Sequence, residues 1–169
     1  MKAAMNKFYS RFSALFATGF YLGYLPPRVT GRPRASGGGT LGTLLGLLLV
    51  PLLPDGRGAY GVFLLLASVF AVLVAHKFCA DSGVEDDQRV VIDETVGYWV
   101  AAAWLPHNFI ILALAFGLFR AFDGLKPWPI RYVDDNVGGG LGVVLDDLLA
   151  GAAANLVLRA LLYFLPFLK

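Results

Sequence analysis

The chain has 169 residues, a length typical of one domain, with 57% hydrophobic and only 15% charged residues. Soluble domains contain about 45–50% apolar and about 25% charged residues, so this composition favours a membrane protein. The net charge of +2, from scattered basic residues, argues against nucleic-acid binding, and the lone Cys79 excludes an internal disulfide.

Five apolar segments follow one another along the chain, and they cover residues 8–25, 41–53, 59–75, 96–119 and 143–168. Helix is expected for all of them, because backbone in contact with lipid must satisfy its own hydrogen bonds. Alternating strand patterns are absent, which argues against a membrane barrel. Pro106 and its polar neighbours predict a turn inside the fourth segment. The sequence therefore predicts an all-α fold: a small polytopic membrane bundle with short helices, in a single domain over residues 1–169.

Basic residues sort the loops into two groups. The turns at 54–58 and 106–108 carry only Arg57, whereas the other connections carry several Lys or Arg residues. Because cytoplasmic loops are enriched in basic residues, the basic connections are predicted to be cytoplasmic. The first segment then has basic residues on both sides. Residues 1–38 are therefore predicted to form an interfacial or re-entrant segment with a basic loop, and the polar site is predicted at the cytoplasmic face.

Two pairs of adjacent acids stand at the starts of apolar segments, Asp93-Glu94 and Asp146-Asp147. Acids in a first helical turn complement the helix dipole, which is one explanation of such pairs. Adjacent side chains point about 100° apart, however, so one can cap while the other faces a site. For the second pair, ion pairs with Arg120 or Arg131 are an alternative. Carboxylates in this number suit Mg²⁺, and the absence of Cys/His ligand spacing disfavours zinc.

Arg120, Asp123 and Lys126 follow the fourth segment at intervals of three residues. Arg120 and Asp123 can share a helix face and form an intrahelical ion pair. In the functional interpretation, Arg120 and Lys126 neutralise a phosphate while Asp123 binds a metal ion.

A run of glycines, residues 37–39, precedes Thr40 and the second apolar segment. Thr40 is expected to be the N-cap of that helix, and free amides at a helix start attract anions. The run is not a P-loop, because no Gly-Lys-Ser/Thr follows.

Several ordered motifs resemble the phosphatidylglycerophosphatase A family of bacterial membrane enzymes, over about residues 19–151. These motifs are Asp93-Glu94 with Gly97, Phe119-Arg120 with Asp123, Lys126-Pro127-Trp128-Pro129-Ile130-Arg131, Asp134 with Asn136-Val137, Gly139-Gly140 with Gly142, and Asp146-Asp147 with Ala150-Gly151. The resemblance implies Mg²⁺-dependent hydrolysis of phosphatidylglycerophosphate to phosphatidylglycerol and phosphate, at the inner membrane. It implies a phospholipid substrate and a multi-pass protein.

A phosphomonoester dianion must be neutralised before a nucleophile can approach. The predicted metal ligands and catalytic acids are Asp93, Glu94, Asp123, Asp146 and Asp147. The predicted phosphate-binding residues are Arg120, Lys126, Arg131 and Thr40. Metal-activated water is the expected nucleophile, with a phospho-aspartate intermediate as the competing mechanism. A small transporter or channel, a structural membrane subunit and a Mg²⁺-dependent lipid phosphotransferase are the alternative functions.

Overall fold

The computed structural model describes residues 2–30 and 37–165, and within these ranges it contains α-helices and no strand. The all-α prediction is confirmed. The helices are α1 (Lys2–Ala17), α2 (Leu25–Thr30), α3 (Gly38–Leu49), α4 (Arg57–Ser82), α5 (Ile92–Ala102), α6 (Phe109–Leu125), α7 (Ile130–Asn136) and α8 (Gly139–Phe164), with 3₁₀ turns at Leu22–Tyr24 and Val50–Leu52.

The fourth apolar segment is two helices, as Pro106 predicts. Helix α5 ends at Ala102, and α6 begins at Phe109. The Asn108 side chain caps α6 by accepting a hydrogen bond from the Ile111 amide at 2.9 Å. This bond satisfies one of the free amides of the first turn.

Helices α5 and α8 run parallel in contact at the centre of the bundle. A Cβ built on Gly151 would lie 2.2 Å from the carbonyl oxygen of Gly97, and one on Gly97 would lie 2.8 Å from that of Asp147. The two backbones can approach this closely only because both positions are glycine. One helical turn further on, Asn155 binds the Ala101 carbonyl. The contact therefore sets the first turns of α5 beside the acid pair of α8.

One end of the bundle gathers the starts of α3, α5 and α8, the end of α6 and the loop after α4. Three helix N-termini therefore meet there, and each carries a partial positive charge from its unpaired amides. Such an end can hold anions, whether they are carboxylates of the chain or groups of a ligand.

Helices α4 and α8 are each 26 residues long, and by length and composition they could cross a membrane. Large apolar side chains on their outer faces are exposed, including Leu65 and Leu73 of α4 and Leu156 and Phe164 of α8. Such a surface suits lipid contact better than water contact.

The prediction of helix over the whole first segment, residues 8–25, is wrong: α1 runs from Lys2 to Ala17, and a turn with Tyr21 in the left-handed region separates it from the 3₁₀ turn at Leu22–Tyr24. Phe12 and Phe16 of α1 make edge-to-face contacts with Phe70 of α4. Most of the basic loop predicted after it, residues 31–36, lies outside the described residues. The interfacial or re-entrant placement of residues 1–38 stays a prediction.

Candidate active site

A polar cavity of about 350 Å³ opens at the end of the bundle where the helix starts meet. Its charged lining is strongly unbalanced, with nine acids against two basic residues. The basic residues are Arg120 and Lys126. The acids are Glu85, Asp86, Asp87, Asp93, Glu94, Asp123, Asp134, Asp146 and Asp147. All five carboxylates predicted from the sequence therefore face one cavity.

Two groups of three carboxylates lie within this cavity, and they share Asp147. Asp93 and Glu94 from α5 form the first group with Asp147, and each residue offers an oxygen within 4.8 Å of the others. Asp123 and Asp146 form the second group with Asp147, at the same spacing. The groups join the first turn of α5, the last turns of α6 and the second turn of α8.

Several of these carboxylates are buried with oxygens that have no hydrogen-bond partner among the described residues. The unpartnered atoms are Oδ1 of Asp93, Asp146 and Asp147 and Oε2 of Glu94. Asp147 is only 3% exposed, Asp146 6% and Asp93 7%. Leaving a buried polar group unpaired costs about 1–3 kcal/mol, and more when it is charged. Four such atoms around one cavity indicate a site built for a ligand that supplies the missing contacts.

Both basic residues of the cavity are held by carboxylates on one side of it. Arg120 lies 2.6 Å from Asp123, so the intrahelical ion pair considered from the sequence does form. Lys126 contacts Asp134 at 2.6 Å and Asp146 at 2.7 Å. The partner of Asp146 is therefore Lys126, and not Arg120 or Arg131. Lys126 reaches it because α6 ends there in a left-handed turn, with φ of 42°.

Burial changes the protonation chemistry at the start of α5. It raises the pKa of Asp93 to about 6. Burial and the neighbouring Asp93 also raise the pKa of Glu94 well above its usual value. Burial lowers the pKa of Lys126, but the bonds to Asp134 and Asp146 outweigh it and raise that pKa overall. Lys126 therefore stays a cation, while the Asp93 and Glu94 carboxyls need a positive partner to ionise fully.

Glycines form the wall of the cavity opposite the acids of α5. A Cβ on Gly39 would lie 2.4 Å from Oε1 of Glu94 and 2.8 Å from Nη1 of Arg120. A Cβ on Gly42 would lie 2.5 Å from the carbonyl oxygen of Val91. The glycine-rich start of α3 therefore lets backbone approach the acidic site closely, which no larger residue would allow.

Two residues predicted to bind phosphate, Thr40 and Arg131, do not line the cavity. Helix α3 begins at Gly38 with Gly37 as its cap, so the expectation that Thr40 is the N-cap is wrong. Thr40 lies inside the helix and is exposed. Arg131 is 76% exposed and pairs loosely with Asp135, at 3.8 Å.

The sequence interpretation missed the acidic loop between α4 and α5, whose residues Glu85, Asp86 and Asp87 all line the cavity. Asp87 accepts a hydrogen bond from Nε of Arg89 at 2.8 Å, and the Arg89 guanidinium lies 5.2 Å from the ring centroids of both Tyr24 and Phe78. These contacts anchor the loop. Three consecutive acids shortly before the Asp93-Glu94 pair were the signal that could have identified it.

The donor set is chemically suited to a hard divalent cation. All of the candidate ligands are carboxylates, and Mg²⁺ prefers oxygen ligands, with water and phosphate completing its coordination. The unpartnered oxygens of Asp93, Glu94, Asp146 and Asp147 are the atoms that such an ion would engage. The acidic cluster could therefore bind a metal ion.

Comparison with known proteins agrees with this chemistry. The chain is 36% identical to a phosphatidylglycerophosphatase A of Haemophilus influenzae over 152 residues, and this alignment covers 89% of each chain. It is 36% identical over 131 residues to that of Escherichia coli, covering 75% of this chain and 73% of the relative. It is also 34% identical over 142 residues to a putative phosphatidylinositol-3-phosphatase of Bacteroides thetaiotaomicron, covering 81% and 85%. No solved structure matches.

The family model described as phosphatidylglycerophosphatase A matches residues 15–162, which is most of the chain. This match includes both acid pairs and both basic residues of the cavity. The resemblance found in the sequence motifs is thereby confirmed: the chain belongs to the phosphatidylglycerophosphatase A family.

Proposed function

We propose that this protein hydrolyses the terminal phosphate monoester of phosphatidylglycerophosphate in a Mg²⁺-dependent reaction that yields phosphatidylglycerol. One structural observation supports the proposal independently of family membership. Buried carboxylates with unpartnered oxygens share a single cavity with Arg120 and Lys126. This combination matches what phosphate-ester hydrolysis needs, namely a metal site and basic groups beside it.

Asp93, Glu94, Asp123, Asp146 and Asp147 are the residues proposed to hold the cation. When bound, Mg²⁺ supplies positive charge that neutralises the phosphate oxygens and makes a coordinated water more acidic. The carboxylates fix the position of that charge, because they belong to the regular helices α5, α6 and α8.

Arg120 and Lys126 are proposed to bind the phosphate oxygens of the substrate. Each already holds one or two carboxylates, so each can turn a remaining donor toward a ligand in the cavity. The Arg120 guanidinium offers the phosphate a planar pair of hydrogen-bond donors, and the Lys126 ammonium offers a compact positive charge. Thr40 and Arg131 stay predictions for this role, and the proposal does not depend on them.

Water is proposed as the nucleophile, with one of the cavity carboxylates accepting its proton. The candidates are the five proposed ligands, because each lines the cavity where the water and the phosphate would meet. A carboxylate that attacks phosphorus directly would form a phospho-aspartate instead. The stereochemical course at phosphorus distinguishes the two mechanisms, since one direct attack by water inverts the configuration, whereas two successive displacements through a phospho-aspartate retain it.

The site is proposed to face the cytoplasmic headgroup layer of a bacterial inner membrane, in a multi-pass protein. The cavity opens at one end of the bundle, and exposed apolar side chains cover the outer faces of α4 and α8. The basic residues Lys77, Arg89 and Arg120 lie toward that same end. The enrichment of Lys and Arg on the cytoplasmic side then favours this orientation.

Phosphate release from the purified protein tests the proposal. Three substrates are compared, with Mg²⁺ and with chelator: phosphatidylglycerophosphate, phosphatidylinositol 3-phosphate and the soluble glycerol 3-phosphate. We expect Mg²⁺-dependent release that is fastest from phosphatidylglycerophosphate. Faster release from the inositol lipid would change the substrate but keep the chemistry. Release from none of them would contradict the proposal and favour a transport function.

A further inference from the structure

The cavity holds more carboxylates than one divalent cation can serve. Asp147 belongs to both groups of three, while Asp93 and Glu94 occur only in the first and Asp123 and Asp146 only in the second. Of the residues that belong to only one group, Asp93 and Glu94 in the first and Asp146 in the second have a buried oxygen without a hydrogen-bond partner. Both groups therefore have oxygen atoms that lack a partner.

We propose that the cavity binds two divalent cations at once, and that Asp147 is the shared ligand between them. The first position is defined by Asp93, Glu94 and Asp147, and the second by Asp123, Asp146 and Asp147. This inference rests on the proposed function, and it adds the number of ions and the division of the ligands between them.

The charge of the cavity supports two ions over one. Nine acids and two basic residues line it. Asp87 is neutralised by Arg89, which leaves eight acids against Arg120 and Lys126. A single divalent ion would leave a marked excess of negative charge, and a phosphate dianion would have to approach against it. A second ion reduces that repulsion, and carboxylate sites with paired metal ions are a known way to clamp a phosphoryl group.

The two positions differ in their basic neighbours. None of the ion pairs among the described residues involves Asp93, Glu94 or Asp147, so no such pair has to be broken when a cation binds there. At the second position, Arg120 pairs with Asp123 and Lys126 pairs with Asp146. A cation entering the second position must share these carboxylates with two positive side chains. The first position is therefore the tighter one, and the second is filled at higher cation concentration.

Mn²⁺ binding to the full chain in detergent micelles tests the proposal, with the electron paramagnetic resonance signal of free Mn²⁺ counting the bound ions. We expect two ions per chain, bound in two resolved steps, and a spectrum of coupled spins when both are present. Glu94→Gln should remove the tighter step, with at least a tenfold loss of affinity. Asp123→Asn should remove only the weaker step. Asp81→Asn is the matched control, because Asp81 is exposed and pairs with Lys77 away from the cavity.

Asp93→Asn repeats the test of the first position and Asp146→Asn repeats the test of the second, so that one poorly folded variant does not decide the result. Circular dichroism checks the helix content of every sample. One bound ion per wild-type chain, or two ions that both remain in Asp123→Asn and Asp146→Asn, would overturn the proposal. Phosphate release is measured on the same preparations. One ion with full Mg²⁺-dependent release would refute the second position and leave the proposed function standing, whereas no ion and no release would refute both.

Discussion

The two ends of the α5–α8 pair treat their polar side chains in opposite ways. At the end away from the cavity, Asn155 donates to the carbonyls of Ala101 and Ala103 at 2.9 Å and accepts from Arg159 at 2.6 Å. At the cavity end, Asp93 and Asp147 keep oxygens with no partner among the described residues. The same two helices thus satisfy polar groups at one end and leave them unpaired at the other.

This difference separates a structural role from a binding role. A partly buried amide whose bonds are complete adds stability and ties the two helices together. A buried carboxylate without a partner lowers the stability of the ligand-free protein, and it persists where a ligand completes it. Substitutions at the cavity end should therefore reduce activity without reducing stability, and substitutions at the other end should reduce stability without reducing activity. The predicted effects follow from the largest to the smallest.

The largest effect is expected from Asp147→Asn, which removes a charge from both carboxylate groups. Phosphate release should fall by at least about 10³-fold, equivalent to about 4 kcal/mol of lost transition-state stabilisation. The melting temperature in chelator should stay the same or rise, because an uncompensated buried charge has been removed. Activity and melting assays on one preparation measure both effects. Activity equal to that of the Asp81→Asn control would contradict the site.

The second-largest effect is expected from a substitution at the close contact between α5 and α8. Gly151→Ala places a Cβ 2.2 Å from the Gly97 carbonyl oxygen, so the helices must separate. We expect a loss of about 1–3 kcal/mol in the free energy of unfolding, as for other overpacked sites. Gly117→Ala in α6 is the matched control, because no atom lies within 4 Å of its added Cβ.

Thermal melts of both variants in detergent measure the difference. The control should gain about 0.5–1 kcal/mol, since alanine favours helix more than glycine does. Equal melting temperatures for the two variants would show that α5 and α8 do not pack as tightly as described.

Asn155→Ala should produce a smaller and purely structural effect. It removes the bonds to Ala101 and Ala103, although Arg159 still donates to the latter carbonyl. We expect a loss of about 1–2 kcal/mol of stability, with activity per folded molecule unchanged. Ser68→Ala is the control, because its hydroxyl binds only the Leu64 carbonyl of its own helix. A loss of activity that exceeds the loss of folded protein would mean that the two ends are coupled.

The smallest effect is expected in the pH dependence of stability without metal. Because burial raises the pKa of Asp93 to about 6, the folded state keeps a proton that the unfolded chain releases at lower pH. The stabilising effect of this proton is complete below the unfolded pKa of about 4 and is lost as pH rises through the folded value. Melting temperatures in chelator should therefore fall more steeply with pH in wild type than in Asp93→Asn. Parallel curves would argue against the buried, uncompensated state of Asp93.

The sequence predicted the longer helices and five of the nine cavity acids because both depend on local patterns. Pro106 marks the break between α5 and α6, and each acid pair stands in the early turns of a helix. The helix starts meet at one end, so the pairs converge. This convergence could be anticipated once the loops had been sorted by charge.

The sequence did not reveal which side chains turn away from the cavity. On α3 the buried face carries Gly38, Gly42 and Gly46, and Thr40 lies about half a helical turn from it. On α7 the buried residue is Ile130, so its neighbour Arg131 is directed outward. Both facts depend on the rotation of a helix about its axis, which is set by packing against other elements.

The closeness of Gly97 and Gly151 also bears on how the selectivity of this protein could be altered. It locks the acids of α5 and α8 into one rigid unit, while the Glu85–Asp87 loop and the start of α3 only border the opening. We therefore expect that substitutions at the rim can change headgroup preference without moving the proposed metal ligands. A laboratory search for altered lipid selectivity would do best to randomise that loop and leave the helix pair intact.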